Sequence, residues 1–273
     1  DFVISLRTRS LDRSRTQTNG RLVFEHDIMN QWKTIVSIAT YNERENIARL
    51  VEAVRNAVPD IHLLVIDDGS PDGTGELCEQ FDQEHAWFHY IQRGSKQGLG
   101  TATICGMQYA VEQGFDLWIG MDADFSHPPE RLPAMIEAIG PRELPVADVV
   151  IGSRYCPGGG VDGWPLKRRI MSRCVNLYAR VLMGLSPKDC SGAFRCCRTL
   201  LLEQLDFSGI QSRGYSFFEE FLWRLKRLGA RIVEVPIVFV DREYGQSKLN
   251  RSEAIHSLWT MFKLGLRNWL RLG

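Results

Sequence analysis

Asp122 and Asp124 flank a single alanine, Ala123, after the apolar run Phe115-Asp116-Leu117-Trp118-Ile119. That run reads as a buried strand. Two carboxylates two residues apart at its carboxyl end can point to the same side. A hard divalent cation favours such oxygens, and a bound diphosphate can complete its shell. The same tripeptide can also end a strand in an ordinary turn. Phe125-Ser126-His127-Pro128-Pro129 follows, and Pro129 suits the first position of a helix.

Other reactive side chains gather at other expected strand ends. Thr34–Ala39 reads as the first strand and leads into Thr40-Tyr41-Asn42-Glu43. Asn42 and Glu45 have the spacing of a capping box for the next helix. Capping does not require Tyr41 or Glu43, and open α/β sheets bind ligands at such strand ends. Ile61–Ile66 is a second strand, ending in Asp67-Asp68-Gly69-Ser70-Pro71. Turn chemistry accounts for the glycine and proline, whereas the two carboxylates can accept bonds from a ribose or a base N–H. After a third strand at 86–91, Arg93-Gly94-Ser95-Lys96-Gln97-Gly98 is a basic, glycine-rich helix entrance that can hold an anion. It lacks the spacing of a P-loop or a dinucleotide fingerprint. The strand 147–153 delivers Arg154 to the same rim, as a surface ion pair or a phosphate ligand.

The second half carries cations beside apolar helices. Pro157-Gly158-Gly159-Gly160 reads as a flexible loop. Lys167, Arg168, Arg169 and Arg173 then interleave with Leu166, Ile170, Leu177 and Val181 in an amphipathic helix with a basic front end. Beside a glycine hinge, such a helix suits a lid or an anionic lipid surface. Glu219 and Glu220 lie on a further helix. Ala230–Val240 is a strand interrupted at Pro236, hence an edge. Arg242 and Lys248 straddle Gly245 as a clamp for diphosphate. The last helix sets Ile255, Leu258, Trp259, Phe262, Leu266, Trp269 and Leu270 on one stripe, either core or a membrane-interfacial face.

Composition limits the alternatives. At 273 residues and 44% apolar, the chain suits one large α/β domain with extensions and excludes general disorder. Its 33 basic and 33 acidic residues balance, so total charge gives no reason to expect a nucleic-acid partner. Seven cysteines without a C-x-x-C pair read as buried, reduced thiols in a cytosolic protein. No run reaches the roughly 18 apolar residues of a membrane span. Residues 1–31 are polar and rich in Arg, Ser and Thr, expected as a mobile tail, a targeting peptide or a lipid-surface arm.

The motifs A-T-Y-N-E-R-E-N, D-D-G-S-P-D-G-T, G-L-G-T-A, M-D-A-D-F-S-H-P-P, V-I-G-S-R-Y, D-C-S-G-A-F-R, G-Y-S-F and V-D-R-E-Y-G-Q-S-K-L occur in this order from about Thr34 to Lys248. In combination the chain resembles the dolichyl- and polyprenyl-phosphate mannosyl- and glucosyltransferases, within the inverting family 2 glycosyltransferases of GT-A fold. The resemblance implies a mostly parallel, Rossmann-like sheet flanked by helices. The chain is thus read as a flexible polar tail at 1–31, a catalytic domain at 32–250 and an amphipathic helix at 251–273 suited to a membrane interface.

By the same resemblance, Ala39, Tyr41, Glu43, Ile66 and Asp68 line the nucleotide-sugar pocket. Asp122, Ala123 and Asp124 meet the donor, with Mg²⁺ or Mn²⁺ on the two aspartates. Arg154, Arg242 and Lys248 hold phosphates, Asp124 and Arg154 are the catalytic pair, and Lys167, Arg168 and Arg169 receive the acceptor phosphate. The implied reaction moves mannose from GDP-mannose to dolichyl or polyprenyl phosphate at the cytosolic face of a membrane, with small membrane anchor subunits as further partners. UDP-glucose as donor, a hydroxyl acceptor served by Glu219 or Glu220, and a noncatalytic nucleotide-sugar-binding subunit are the alternatives. Three positions depart from the family pattern: Ala39 stands where proline is usual, Ser126 where some members place a metal-binding glutamine, and Phe218 where a polar residue is common.

Overall fold

The computed structural model describes residues 32–212, 214, 216–241 and 251–270. The expected tail at 1–31 and the clamp residues Arg242 and Lys248 lie outside them. The first half alternates strand and helix: β1 (Thr34–Thr40), α1 (Arg44–Ala57), β2 (His62–Asp67), α2 (Thr74–Glu84), β3 (Phe88–Gln92), α3 (Leu99–Glu112) and β4 (Leu117–Asp122). A 3-10 turn at Pro129–Arg131, begun by the proline, runs into α4 (Leu132–Glu137). Then come β5 (Val149–Ser153), β6 (Gly160–Asp162), α5 (Leu166–Met183), β7 (Arg195–Arg198), α6 (Thr199–Leu202), α7 (Phe217–Arg227), β8 (Ile232–Pro236), β9 (Val238–Val240) and α8 (Arg251–Trp269).

Seven strands form one mixed sheet in the order β3-β2-β1-β4-β7-β5-β8, in which β7 alone runs antiparallel to its neighbours. The strands read as near-continuous apolar runs because helices cover both faces. Alternation sends Val36, Ile38, Leu63 and Val65 to the face packed by α1, where Ile47, Leu50 and Val54 are fully buried. It sends Ile35, Leu64 and Ile66 to the other face, against α3 and α7. The vicinal Cys196 and Cys197 divide the same way, one to each core cluster. As expected from Pro236, β8 is an edge strand, paired with β5.

Two local expectations change, and one open alternative narrows. Asn42 does not cap α1. The N-cap position is Glu43, without a side-chain bond, and Asn42 stands at φ 63°. The carboxylate of Asp72 instead accepts the Arg44 N–H at 3.1 Å, so the turn after β2 caps the helix after β1. The 157–160 loop is no hinge: Gly160 opens β6, and a Cβ on Gly159 would lie 2.4 Å from the Ser153 carbonyl oxygen. Glycine is needed there for close approach. The stripe on α8, which its spacing leaves open between core and interface, exposes Leu258, Trp259, Phe262, Leu266, Trp269 and Leu270. Ser257, Thr260, Met261 and Leu264 are the buried face of α8, whereas Trp259 is 54% and Trp269 70% exposed.

Candidate active site

β1 lies between β2 and β4 in the sheet order, so the chain reverses its direction of sheet growth at β1 and β4. Ligands bind in the crevice outside such a switch point. Ala39 and Asp122 face each other there in register, and the crevice is walled by Leu99, Thr103, Ala193 and Phe218.

On the β2 side, Asp67 is fully buried and consumed by its own turn. Its carboxylate accepts the N–H groups of Gly69 at 3.0 Å and Ser70 at 2.8 Å, the Thr40 hydroxyl at 3.1 Å and the Ser70 hydroxyl. Asp68 accepts a bond from Arg93 Nε at 2.6 Å, and Arg93 Nη1 continues to the Thr101 hydroxyl at 2.8 Å. Arg93 therefore fixes the carboxylate expected to meet the nucleotide. Tyr41 is exposed, with Lys96 Nζ 4.3 Å from its ring centre. Glu43 holds the Asn46 amide at 2.8 Å. Ile66 does not line a pocket with its side chain, which alternation buries in the core on α3. Ala123 is likewise a core residue between two half-buried aspartates.

At the end of β4, the Asp122 N–H donates to His127 Nδ1 at 3.0 Å. That bond requires an unprotonated Nδ1, so the imidazole carries its proton on Nε2, 3.7 Å from Asp122 Oδ2. Burial holds the His127 pKa below its ordinary value, against the pull of Asp122 and Asp124. The ring stacks on Phe194 at 5.0 Å and meets the edge of Phe239 at 5.5 Å. Asp124 Oδ1 accepts the Ser126 N–H at 3.1 Å, and Phe125 between them takes the left-handed φ of 60°, costly for a bulky side chain. The Asp122 side chain is 33% exposed. No cluster of three ligating side chains occurs among the described residues. Two carboxylates nonetheless fit Mg²⁺ or Mn²⁺, since Mg²⁺ in phosphate sites takes one or two carboxylates and the remaining oxygens from phosphate and water.

Arg154 is at the rim but is not a surface ion pair. Its Nε and Nη2 each reach Asp189 at 2.7 Å, Nη2 also donates to the Ser191 hydroxyl at 2.8 Å, and Asp189 is fully buried. Burial opposes both charges, but each partner reverses the effect on the other: Asp189 is held below the ordinary carboxylate range and Arg154 above its own. Arg168 lies 4.0 Å over the Trp164 ring and bonds Asp241 at 2.8 Å. Arg169 donates to the Trp164 carbonyl at 3.0 Å, and Lys167 is exposed. Glu219 and Glu220 are both buried and face no solvent. Glu220 bonds the Ser212 N–H at 2.8 Å and Arg224 at 2.9 Å, while burial pushes Glu219 up to about 7.

The residues missed in the sequence are those that orient the named ones: His127, Asp189, Trp164 and Phe239; Arg93, read as part of an anion-holding helix entrance, holds Asp68 instead. Asp189 and His127 stand inside quoted motifs, which is the only signal they gave; Asp189 meets Arg154 across 35 residues, and His127 bonds Asp122 across five but packs on Phe194 and Phe239 from far along the chain.

The chain matches glycosyl transferase family 2 over residues 35–206. It is 40% identical over 241 residues, 87% of this chain and 89% of the other, to a polyprenol monophosphomannose synthase of Mycolicibacterium smegmatis. It is 42% identical over 218 residues, 80% of this chain and 88% of the other, to an undecaprenyl-phosphate mannosyltransferase of Micrococcus luteus. Among solved structures, glucosyl-3-phosphoglycerate synthase of Mycobacterium tuberculosis, with Mg²⁺ and UDP, superposes with a TM-score of 0.64 at 16% identity, covering 89% of this chain and 84% of that one. A mannosyltransferase of Pyrobaculum calidifontis, with GDP-Man and Mn²⁺, gives 0.54 at 14%, covering 93% and 73%. These structures share the GT-A fold. With a carboxylate pair at the sheet's switch point and this degree of identity to two curated relatives, the chain belongs to glycosyl transferase family 2.

Proposed function

We propose that this enzyme transfers mannose, with inversion, from GDP-mannose to the phosphate of a dolichyl or polyprenyl monophosphate at the cytosolic face of a membrane. The observation that carries the reading is the identity of 40% and 42%, over most of the chain, to two relatives named for mannosyl transfer to polyprenyl phosphate. The catalytic unit is placed at 32–250, with 251–273 as a membrane-interfacial helix.

Asp122 and Asp124 would hold Mg²⁺ or Mn²⁺, which supplies charge neutralisation to the departing diphosphate. Tyr41, Glu43 and Asp68 hold the nucleoside side of the donor, and Arg93 keeps Asp68 in place. The acceptor is a phosphate monoester with a second pKa near ~6, already largely ionised at neutral pH. Its oxygen attacks the anomeric carbon opposite the diphosphate; the carbon–diphosphate bond breaks and its electron pair leaves with GDP. No general base is required. This fits a site whose spare carboxylates, Glu219 and Glu220, are buried in the core.

Cations do the corresponding work. Lys167, Arg168 and Arg169 lie in the first turn of α5, where the positive end of the helix dipole repels them. An acceptor phosphate would relieve that repulsion. Arg154 presents a guanidinium already oriented by Asp189, and Arg242 and Lys248 join the phosphate-holding set. The helix α5 exposes Leu166, Ile170, Leu177 and Val181, and α8 exposes Phe262, Leu266 and Trp269. The two helices cross closely at Gly265, where a Cβ would lie 2.8 Å from that of Leu182. No helix among the described residues is long and apolar enough to cross a membrane. This face is suited to the interface, leaving the prenyl tail in lipid.

The test is transfer into prenyl phosphate in detergent, with Mn²⁺ or Mg²⁺, comparing GDP-mannose with UDP-glucose. Lipid-linked mannose from GDP-mannose alone is expected. Product from UDP-glucose alone would rename the donor, and nucleotide binding without either product would return the reading to a binding subunit. Replacing Trp259 and Trp269 by serine should weaken liposome binding; unchanged binding would leave the face for a small membrane subunit.

A further inference from the structure

Of the 18 residues of α5, only Asn176, Ala179 and Met183 are buried, all in its second half. That half is held by α8: Tyr178 Oη donates to the Leu258 carbonyl at 3.3 Å, and Trp269 Nε1 to the Leu182 carbonyl at 3.0 Å. The first half, with Lys167, Arg168 and Arg169, has no buried residue. Its placement therefore depends on where the helix is pinned in the middle, and the pin is an amide. Asn176 Oδ1 accepts the Cys190 N–H at 2.6 Å. Its NH₂ is then left to donate to the Ser172 carbonyl at 2.8 Å and to the Ser191 hydroxyl at 3.2 Å.

The same Ser191 oxygen receives Arg154 Nη2 at 2.8 Å. One hydroxyl thus joins α5 to the phosphate-holding arginine. A second bridge runs from Tyr155 Oη to the Ser172 hydroxyl at 2.7 Å. The 189–192 turn between them is rigid. Glu234 accepts the N–H groups of Lys188 at 3.0 Å and Asp189 at 3.1 Å. The fully buried Arg195 donates to the Cys190 carbonyl and, at 2.8 Å, to the Gly192 carbonyl. The turn cannot follow the helix, so the helix takes its register from the turn. An apolar side chain at 176 would bury equally well but would fix no register. Asparagine is also a poor residue for a helix interior, a cost that its partners offset.

We infer that Asn176 is a positioning residue for the transfer: it sets the register of α5 on the 189–192 turn, and thereby the spacing between Arg154 and the acceptor cations of the first turn. The inference rests on the reading that Lys167, Arg168 and Arg169 receive the acceptor phosphate. The helix rises about 12 Å from Arg168 to Asn176, so a small rotation at the amide is carried to the first turn. Misplacing the attacking oxygen by about 1 Å costs roughly a hundredfold in rate. Arg154 keeps its pairing with Asp189 when the amide is removed, so the donor side is spared.

The experiment measures transfer from GDP-mannose to prenyl phosphate by the full chain in detergent, and affinity for GDP with Mn²⁺ by calorimetry. The variants are N176A, S191A, N176A/S191A and A179G. Glycine at 179 loosens the same helix without touching Ser191 or Cys190. N176A should lower kcat about a hundredfold and hold GDP affinity within about twofold of the wild type, because the lost interaction acts in the transition state. The double variant should be no slower than the slower single one, since both residues act along one path, and A179G should keep its kcat. An unchanged kcat in N176A overturns the inference. So does an equal loss in A179G, which would make any loosening of α5 sufficient. Losses that multiply in the double variant would separate Asn176 from Ser191 and overturn it too. A fall in GDP affinity as large as the fall in kcat would put Asn176 behind the donor seat alone and overturn the link to the acceptor. If circular dichroism shows N176A unfolded, S191A carries the test, because it leaves the bond to Cys190 in place. Its kcat should then fall about tenfold with GDP affinity kept, and an unchanged kcat overturns the inference. No lipid product from the wild type would remove the acceptor reading and this inference together; wild-type transfer with an unaffected N176A would remove this inference alone.

Discussion

The carboxylates at the end of β2 and those at the end of β4 leave the same sheet on either side of β1, at strands running in the same direction. Their residue types are identical and their fates are opposite. Asp67 is surrounded by four donors from its own turn and from β1 and has no exposed surface. Asp68 is taken by Arg93. Asp122 and Asp124 each sit half-buried, with Asp122 oriented from behind by His127. Glu219 shows a third fate: it is fully buried and one of its oxygens has no hydrogen-bond partner among the described residues. A carboxylate buried among the donors of its own turn builds that turn; one left half-buried at an open rim can offer oxygens to a ligand.

The sharpest way to break this contrast is a crossed pair of substitutions. Asp124→Ala should lower transfer by about 10³ with little change in the denaturation midpoint. Asp67→Ala should lower stability by about 2–3 kcal/mol, because it leaves several buried donors unmade. If Asp124→Ala proved as destabilising as Asp67→Ala, the β4 carboxylates would be structural too.

Glu219 sharpens the third case. Its pKa is raised from 4.5 to about 7, so the folded state holds the proton that the unfolded state has released. Its contribution to stability is greatest below pH 4.5 and is lost as pH rises through about 7. Glu219→Gln should therefore stabilise the protein at pH 8, by on the order of 2–3 kcal/mol, and change little at pH 4. Equal unfolding curves at pH 8 would show that Glu219 is stably ionised.

The orienting role of His127 predicts a smaller effect. His127→Phe keeps the stack on Phe194 but removes the acceptor for the Asp122 N–H. Mn²⁺ binding in the presence of GDP, followed by calorimetry, should weaken by roughly 10–100-fold. His127→Asn, which restores a polar partner, should recover part of it. Unchanged affinity in His127→Phe would leave His127 as core packing.

The smallest effect lies at the opposite end of the sheet. His62 Nδ1 and His89 Nε2 meet at 3.0 Å, and burial lowers both pKa values, with the neighbouring imidazole as a second cause for His62. A histidine whose folded pKa lies below 6.5 stabilises above that pH and loses its contribution as pH falls through the folded value. His62→Gln should flatten the decline in melting temperature between pH 7 and pH 5, without altering transfer at pH 7. An unaltered decline would mean that the pair does not titrate there.

Much of this was legible in the chain. The strands β1, β2, β4 and β5 are apolar runs, and β2 and β4 end in Asp67 and Asp122, so their positions follow from local burial and turn chemistry. Pro129 opened its turn and Pro236 marked an edge, both for the local reason that proline lacks an N–H. The errors came where a local rule met a distant partner. Asn42 had the spacing of a cap, but Asp72 supplied the bond from another turn. Gly158–Gly160 had the composition of a hinge, but the Ser153 carbonyl packs against the backbone there. The α8 stripe had spacing that fits a core or an interfacial face, and only the packing of the other face decided between them.

The sequence by itself determined the α/β order, the placement of Asp122, Asp124 and Arg154 at strand ends, and the polar character of the rim. Each depends on periodicity or on a neighbour a few residues away. Only the tertiary structure decided what those side chains are free to do. Arg154 meets Asp189 across 35 residues, and Ser153 meets Glu234 across 81. Hydrogen bonds and burial act through space, and in a sheet whose strands are out of chain order, neighbours in space are distant in sequence. That is why a phosphate-seeking arginine and a buried ion pair look alike until the chain is folded.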